Sequence, residues 1–209
     1  MKFVKLVNGI AMILLLFFTG CSSSKITTTW KAKNTGSMVS DKIMVIGIIG
    51  SPDRLIQEKM ETHILDDLKR IGYTALASLN EYGPNGLIKG DTAGALAKLD
   101  KSEVDAVLTI VLLNKEKEQQ YIASNYMNRL INNKFDTYNR IFEPGYYVTN
   151  TKYFWETNLY NLKTKQLLYS VQTQSFNPDD TEKLAHDYGR LIIKKMLKEE
   201  ILKNRNAVK

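Results

Sequence analysis

The clearest pattern in the chain is a nearly continuous apolar run at 42–49, followed by a helical repeat of apolar positions. The run KIMVIGII is rich in β-branched residues, which is typical of a strand that is buried on both faces. At 53–71 apolar residues recur at helical spacing, which predicts an amphipathic helix that Gly72 ends. Residues 73–77 predict a short second strand. The pattern therefore predicts a strand–helix–strand unit with a right-handed parallel crossover.

A second buried strand follows after a loop and a short helix. Glycine, proline and asparagine at 78–90 predict the loop, and Asp91 is suited to cap a helix at 92–101. Residues 105–113 (DAVLTIVLL) again have the composition of a buried parallel strand. The charged residues at 115–120 are expected to lie in solvent.

The last third of the chain predicts a hairpin and a long helix. Side chains alternate at 152–162 as they would in a strand, and 166–175 supplies its partner strand. Asn177 and Pro178 are suited to open a last helix at 179–203, whose apolar stripe runs from Leu184 to Leu197.

These elements together define the predicted fold class. It is α/β (α+β): a mixed β-sheet with a strand–helix–strand crossover, a C-terminal antiparallel hairpin and a long C-terminal helix packed on the sheet. The helices are expected to cover that sheet in a two-layer or three-layer sandwich.

One stretch, 121–150, departs from this regular pattern because it is rich in tyrosine and asparagine and has little periodicity. It predicts a protruding hairpin or a mobile segment. Aromatic rings with a polar edge favour interfaces with proteins or sugars, and the alternative is that they pack on their own domain. The candidate partner-binding residues are Tyr121, Tyr126, Tyr138, Tyr146 and Tyr147.

The amino terminus has the order of a secretory signal. Lys2 and Lys5 precede an apolar run at 10–18, and Thr19-Gly20 supplies small residues directly before Cys21. The apolar run is shorter than the roughly 20 residues that span a bilayer. An ordinary signal peptide or membrane helix with a chance cysteine is the alternative interpretation.

The sequence Phe18-Thr19-Gly20-Cys21 resembles the lipobox of bacterial lipoproteins. That resemblance implies cleavage before Cys21 and attachment of a diacylglyceryl group to its sulfur. A serine at position 22 is similar to the lipoproteins that go to the outer membrane. Two or three acyl chains hold a protein stably on a membrane, whereas one chain holds it only marginally.

The resulting domain organisation has four parts: a cleaved signal peptide at 1–20, a lipid-anchored linker at 21–41, a single domain at 42–203 and a basic tail at 204–209. The linker begins with a Ser-rich flexible leash and is expected to contain a short strand that docks Trp30.

Composition sets further bounds on the function. Hydrophobic residues make up 44% and charged residues 24% of the chain, which matches a globular domain. Cys21 is the only cysteine, so the folded part would have no disulfide. The net charge is +7, but an exported lipoprotein rarely meets nucleic acid, and we expect no nucleic-acid binding.

The sequence contains no motif that names a reaction. His63 and His186 lie in separate predicted helices without zinc-site spacing, and no nucleophile elbow or phosphate-binding glycine loop is present. The acidic residues of the first helix are expected to form a solvated face; they are Glu58, Glu61, Asp66 and Asp67. We therefore expect no catalytic residues, no metal and no cofactor.

Several short motifs resemble a group of small bacterial envelope lipoproteins. After the lipobox and Thr28-Thr29-Trp30 come the strand KIMVIGII and Arg70-Ile71-Gly72-Tyr73, then the segments at 75–78, 104–108 and 155–160. This resemblance implies an α/β fold similar to the amino-terminal domain of TolB and to the periplasmic part of curli-secretion lipoproteins. It carries no catalytic residue with it.

The sequence thus predicts a lipid-anchored, non-catalytic interaction or accessory component at the outer membrane, facing the periplasm. Its partners would be the membrane, through Cys21, and an envelope protein or glycan. A glycan- or peptidoglycan-binding module is the alternative, and a periplasmic hydrolase is a further one.

Overall fold

The computed structural model describes residues 24–33, 42–84, 86–87, 92–122, 146–178 and 180–208. The lipid-attachment residue predicted at Cys21 and the candidate residues Tyr126 and Tyr138 lie outside these ranges.

A single six-stranded mixed sheet organises the chain. Its strands are β1 (Ser24–Lys31), β2 (Lys42–Ile48), β3 (Thr74–Ala77), β4 (Ala106–Ile122), β5 (Tyr146–Asn161) and β6 (Gln166–Phe176). They lie side by side in the order β1-β6-β5-β4-β2-β3. The pairs β2–β3 and β2–β4 are parallel, and the pairs β4–β5, β5–β6 and β1–β6 are antiparallel. The predicted fold class is confirmed.

The predicted crossover is present, with one addition. A 3-10 turn at Ser51–Asp53 leads into helix α1 (Arg54–Arg70), which returns the chain to β3 beside β2. Gly72 ends the helix with φ of 92°, in the left-handed region that glycine tolerates. The loop predicted at 78–90 is wrong at its start, because Ser78–Tyr82 forms a short helix, α2.

Two helices cover one face of the sheet and build the main core. The helix α4 (Thr181–Lys198) packs beside α1, and the apolar stripes of both meet the inward side chains of the strands. Trp155, Leu159 and Val171 are fully buried there, as the alternation along the hairpin predicts. No helix among the described residues is long and apolar enough to cross a lipid bilayer.

The opposite face of the sheet is only partly covered. Helix α3 (Thr92–Lys101) packs Leu99 against Met44 and Val107 in a second, smaller apolar cluster. Near β2 and β4 the fold therefore has three layers, with the sheet between helices. Near β1, β5 and β6 the described residues cover only one face of the sheet.

The bounds of the last helix differ from the prediction at both ends. Asn177 has a left-handed φ of 42° and donates its backbone N–H to the Thr151 carbonyl at 2.7 Å, so it turns the chain before the helix. Asp180 is the actual cap, since its carboxylate accepts the Lys183 N–H at 2.7 Å. The helix ends at Lys198, not at 203, because Glu200 adopts a φ of 59°.

The chain beyond α4 returns to the core. Ile201 and Leu202 are buried, and the Arg205 N–H donates to the Ile71 carbonyl at 2.9 Å. The Arg205 guanidinium lies 4.0 Å from the centre of the Tyr73 ring. This closing segment joins the end of the chain to the end of α1.

The first strand begins earlier than the predicted linker suggests. β1 starts at Ser24, whose hydroxyl shares a 2.7 Å hydrogen bond with that of Ser175, so Ser24 and Lys25 belong to the strand and not to the predicted flexible segment. The expected short strand is therefore present. The expectation that it docks Trp30 is wrong, because that side chain is 50% exposed.

Candidate functional site

A two-stranded ribbon projects beyond the sheet and carries two of the candidate tyrosines. β5 loses its β6 partner before Lys152, but β4 and β5 stay paired from Lys117–Thr151 as far as Ile122–Tyr146. We call these paired segments, 117–122 and 146–151, the ribbon. Both strands are longer than predicted, because β4 continues past the predicted end at 113 to Ile122, and β5 begins at Tyr146 and not at 152.

Tyr121 and Tyr147 face each other across the ribbon. They are register partners, their rings are 5.1 Å apart between centroids, and the two ring planes make an angle of 55°. Their side chains are 54% and 69% exposed. Tyr146 is the first residue of β5. The structure therefore places two of the five candidate tyrosines together on one exposed surface.

Polar contacts hold the base of the ribbon in place. The Lys115 ammonium lies 2.5 Å from the Asp53 carboxylate and above the Tyr153 ring. Partial burial opposes the charge on this lysine, but the Asp53 carboxylate and Tyr153 outweigh it and raise the pKa of Lys115. The contact ties β4 to the start of α1, so the ribbon leaves the body in a defined direction.

The open face of the sheet holds a carboxylate, Glu156, that no sequence pattern singles out. Glu156 accepts hydrogen bonds from the side-chain amides of Asn158 at 2.8 Å and Gln172 at 2.9 Å, one on each oxygen. These two bonds lower the pKa of Glu156, against a smaller opposing effect of burial. A carboxylate held ionised in this way is a poor proton donor at neutral pH.

The solvated acidic face predicted on the first helix is wrong for Asp67, which is 7% exposed and pairs with Arg70 at 2.7 Å, and for Glu61, which is only 1% exposed. Its carboxylate accepts four hydrogen bonds: from the backbone N–H groups of Gly47 and Leu79, the Ser78 hydroxyl and the Gln57 amide, all at 2.8–3.0 Å. Glu61 therefore joins α1, β2 and α2, and this long-range anion explains why a short helix begins at Ser78.

Gly47 makes that arrangement possible. A Cβ at this position would lie 2.5 Å from Cγ of Gln57 and 3.1 Å from Oε1 of Glu61. The glycine lets β2 approach α1 closely enough for its N–H to reach the carboxylate. The sequence did contain a signal for Glu61, since it shares a helical face with Leu65 and Leu68.

The two histidines, 123 positions apart in the sequence, meet where α1 packs against α4. Their rings are 5.4 Å apart in an edge-to-face arrangement. Nε2 of His63 lies 2.6 Å from Glu182, which also pairs with Lys59 at 3.0 Å. The hydrogen bonds from Lys59 and then His63 lower the pKa of Glu182. Within the described ranges, no group of three or more His, Cys, Asp or Glu side chains is arranged to hold a metal ion.

Comparisons with known proteins give similarity at the level of solved structures. No protein-family model matches the chain, and no curated protein sequence matches it. Similar structures include a PelC dodecamer from Paraburkholderia phytofirmans, at 13% identity and a TM-score of 0.45 over 85% of this chain and 99% of that one.

Two bacterial lipoproteins are also among the similar structures. Lipoprotein GNA1162 from Neisseria meningitidis has 15% identity and a TM-score of 0.44, over 75% of this chain and 98% of that one. A minor lipoprotein from Acinetobacter baumannii has 8% identity and a TM-score of 0.31, over 79% and 99%. At these TM-scores the likeness carries no argument about function.

Proposed function

We propose that this protein is a lipid-anchored, non-catalytic interaction component of the bacterial cell envelope, held at the outer membrane on its periplasmic face. The observation that carries the proposal is the amino-terminal order of charge, apolar run, Thr19-Gly20 and Cys21. The first strand of the domain begins only three residues after that cysteine. We further propose that the short motifs described above relate this chain to the envelope lipoproteins with a TolB-like fold.

The proposed mechanism is recruitment. Acyl chains on Cys21 fix the protein to the membrane, and the ribbon contacts a partner in or on that membrane. The exposed Tyr121–Tyr147 pair supports this role, because tyrosine supplies a large contact area with a polar edge at low entropic cost. The ring planes are tilted relative to each other, and they do not form the flat platform on which a sugar ring would stack.

The absence of catalysis is part of the proposal, and the contacts of the ionisable residues support it. Glu61 is saturated by four donors, Glu156 is held by two amides, and Glu182 is paired with Lys59 and His63. The hydrogen bonds and ion pairs of these carboxylates therefore give each of them a structural role.

Crosslinking in native membranes followed by affinity capture tests the recognition element. We expect the double variant Tyr121→Ser/Tyr147→Ser to lose the specific partner that the wild-type protein captures. Trp30→Ser is the control, because it removes a half-exposed aromatic side chain that lies on β1, far from the ribbon. Capture of the same partner by the double variant would show that the tyrosines are not the recognition element.

Two further measurements separate the alternatives. Cosedimentation of the wild-type protein with purified peptidoglycan, lost in the double variant, would assign the ribbon to a glycan. The Cys21→Ala variant is expected to leave the membrane fraction, and its full retention there would contradict the lipid anchor.

A further inference from the structure

Exposed apolar side chains are concentrated at one end of the sheet. This is the end from which the ribbon projects, where β2 finishes, β4 continues into the ribbon and α1 begins, and we call it the ribbon end. Seven large apolar or aromatic side chains are prominently exposed among the described residues, and Trp30 alone lies elsewhere. The six at or near the ribbon end are Ile48, Leu55, Leu113, Tyr121, Tyr147 and Phe176.

The predicted attachment point lies at the same end. Ser24 begins β1 and pairs with Ser175, which pairs with Tyr153, so these three residues stand at one level across the sheet. Phe176 follows directly. Cys21 is three residues before Ser24, and three residues of extended chain span at most about 11 Å. The tether is therefore short compared with the domain.

This short tether restricts how the domain can stand on a membrane. From the level of Ser24, β5 continues about 27 Å into the body of the domain, from Tyr153 to Asn161, at about 3.4 Å per residue. If the ribbon pointed away from the membrane, that body would have to fit within a gap of about 11 Å. This orientation is sterically excluded once Cys21 carries the lipid.

The ribbon itself reaches about 20 Å beyond the level of Ser24, as far as Tyr147, at about 3.4 Å per residue. That reach exceeds the tether, so a domain whose ribbon end leans towards the membrane brings Tyr121 and Tyr147 into the headgroup layer. An orientation with the β1 edge on the membrane also satisfies the tether. It leaves the apolar side chains of the ribbon end in water, which is the less favourable arrangement.

We infer that the ribbon end rests on the lipid headgroups of the membrane that holds Cys21, with Tyr121 and Tyr147 at the lipid–water interface. The inference rests on the proposed lipid anchor and specifies which surface of the domain meets the membrane. Tyrosine is enriched at this interface because its ring is apolar and its hydroxyl remains hydrated. A partner reached through the ribbon then lies in or on the same membrane.

Charge adds little to this contact. The ribbon and its base carry Lys115, Lys117 and Lys152, but Glu116 and Glu118 lie among them, and Lys152 is 3.4 Å from Glu118. We therefore expect the contact to depend weakly on salt and on the fraction of anionic lipid, unlike that of a polybasic surface.

Coupling to lipid through the only cysteine tests the inference without relying on processing in the cell. The chain from Cys21 onwards would be joined to maleimide-headgroup lipid in phosphatidylethanolamine–phosphatidylglycerol vesicles. In a Trp30→Phe background, a Tyr121→Trp reporter is compared with Lys163→Trp. Lys163 is 80% exposed and lies in the turn at the opposite end of the sheet. Trp155, which is fully buried, gives a constant background.

The expected result is a blue shift of the Tyr121→Trp emission and its loss when the vesicles contain brominated lipid, with neither change for Lys163→Trp. An unquenched Tyr121→Trp reporter, or equal quenching of both reporters, would overturn the inference. A blue shift that grows with protein density but shows no quenching would assign the ribbon end to a second copy and would also overturn it.

A longer tether provides the matched geometric control. Inserting 20 Gly/Ser residues between Cys21 and Ser24 gives a root-mean-square reach of roughly 25 Å. Reduced quenching would show that the short tether imposes the contact, and unchanged quenching would show that the ribbon end binds lipid by its own affinity. Either result supports the contact. If brominated lipid quenches the Tyr121→Trp reporter but Cys21 is unmodified in cells, the proposed anchor is refuted. The contact of the ribbon end with lipid would remain supported.

Discussion

Replacing Glu61 is the sharpest test of how the fold is held together. In the wild-type protein this buried carboxylate accepts the N–H groups of Gly47 and Leu79, the Ser78 hydroxyl and the Gln57 amide. Glu61→Ala removes the carboxylate that accepts the Gly47 N–H and the Ser78 hydroxyl. The perturbation therefore affects three elements of structure at once.

The cost of the substitution can be worked out from the donors that it leaves. Each buried donor without an acceptor costs about 1–3 kcal/mol, and the desolvation cost of the carboxylate is relieved at the same time. We expect a net loss of about 3–4 kcal/mol for Glu61→Ala. Glu61→Gln retains one acceptor oxygen but places an NH₂ group against the remaining donors, so we expect about 1–2 kcal/mol.

Urea unfolding followed by the fluorescence of buried Trp155 measures this loss. With a slope of about 2 kcal/mol per molar urea, the midpoint of Glu61→Ala should fall by roughly 1.5–2 M. Glu58→Ala is the matched control, since Glu58 is an exposed glutamate of the same helix and should change stability by less than about 0.5 kcal/mol. Equal losses of stability in Glu61→Ala and Glu58→Ala would show that the four hydrogen bonds of Glu61 do not stabilise the fold.

Three further predictions concern pH, backbone conformation and capping. Two side-chain amides lower the pKa of Glu156 below its ordinary value of 4.5, so its contribution is present at neutral pH and lost as the pH falls through the folded pKa. The difference in unfolding free energy between wild type and Glu156→Gln should therefore be constant above about pH 5 and shrink as the pH falls below 4.5, and a difference that does not change with pH would contradict the assignment. Gly72→Ala should cost about 1–2 kcal/mol in thermal unfolding because its φ is 92° and its new Cβ would meet Arg205 at 2.9 Å. Gly50→Ala, whose nearest atom is 3.6 Å away, is the control and should be nearly neutral. Asp180→Ala should cost about 1 kcal/mol and Asp180→Asn much less; equal losses would show that the side chain does not act as the cap.

Much of the fold could be predicted because its elements have local signatures. The two buried strands, the amphipathic helix ending at Gly72 and the alternating hairpin each follow from the spacing of apolar residues. The parallel pairing of β2 with β3 and β4 follows from the crossover. These features depend on residues that are close in the sequence, so they can be predicted from the sequence alone.

The errors arose where contacts between distant residues decide the local structure. The short helix at Ser78 depends on Glu61, 17 positions earlier, and the start of α4 depends on the bond from Asn177 to Thr151. The end of α4 depends on the return of Ile201 to the core. No local pattern contains these contacts, so the helix boundaries and the turn chemistry were open to error.

The candidate site was predicted in part for the same reason. The composition of 121–150 drew attention to the tyrosines, but the pairing of Tyr121 with Tyr147 follows from the register of two long strands. The meeting of His63 with His186 likewise depends on how α1 packs against α4. The sequence identified which residues to examine, and tertiary packing decided which of them come together.

Mass spectrometry of the protein extracted from its native membrane tests the lipid anchor most directly. We expect a chain that begins at Cys21 and carries a diacylglyceryl thioether on that sulfur. A chain that retains residues 1–20, or one with a free thiol at Cys21, would contradict it.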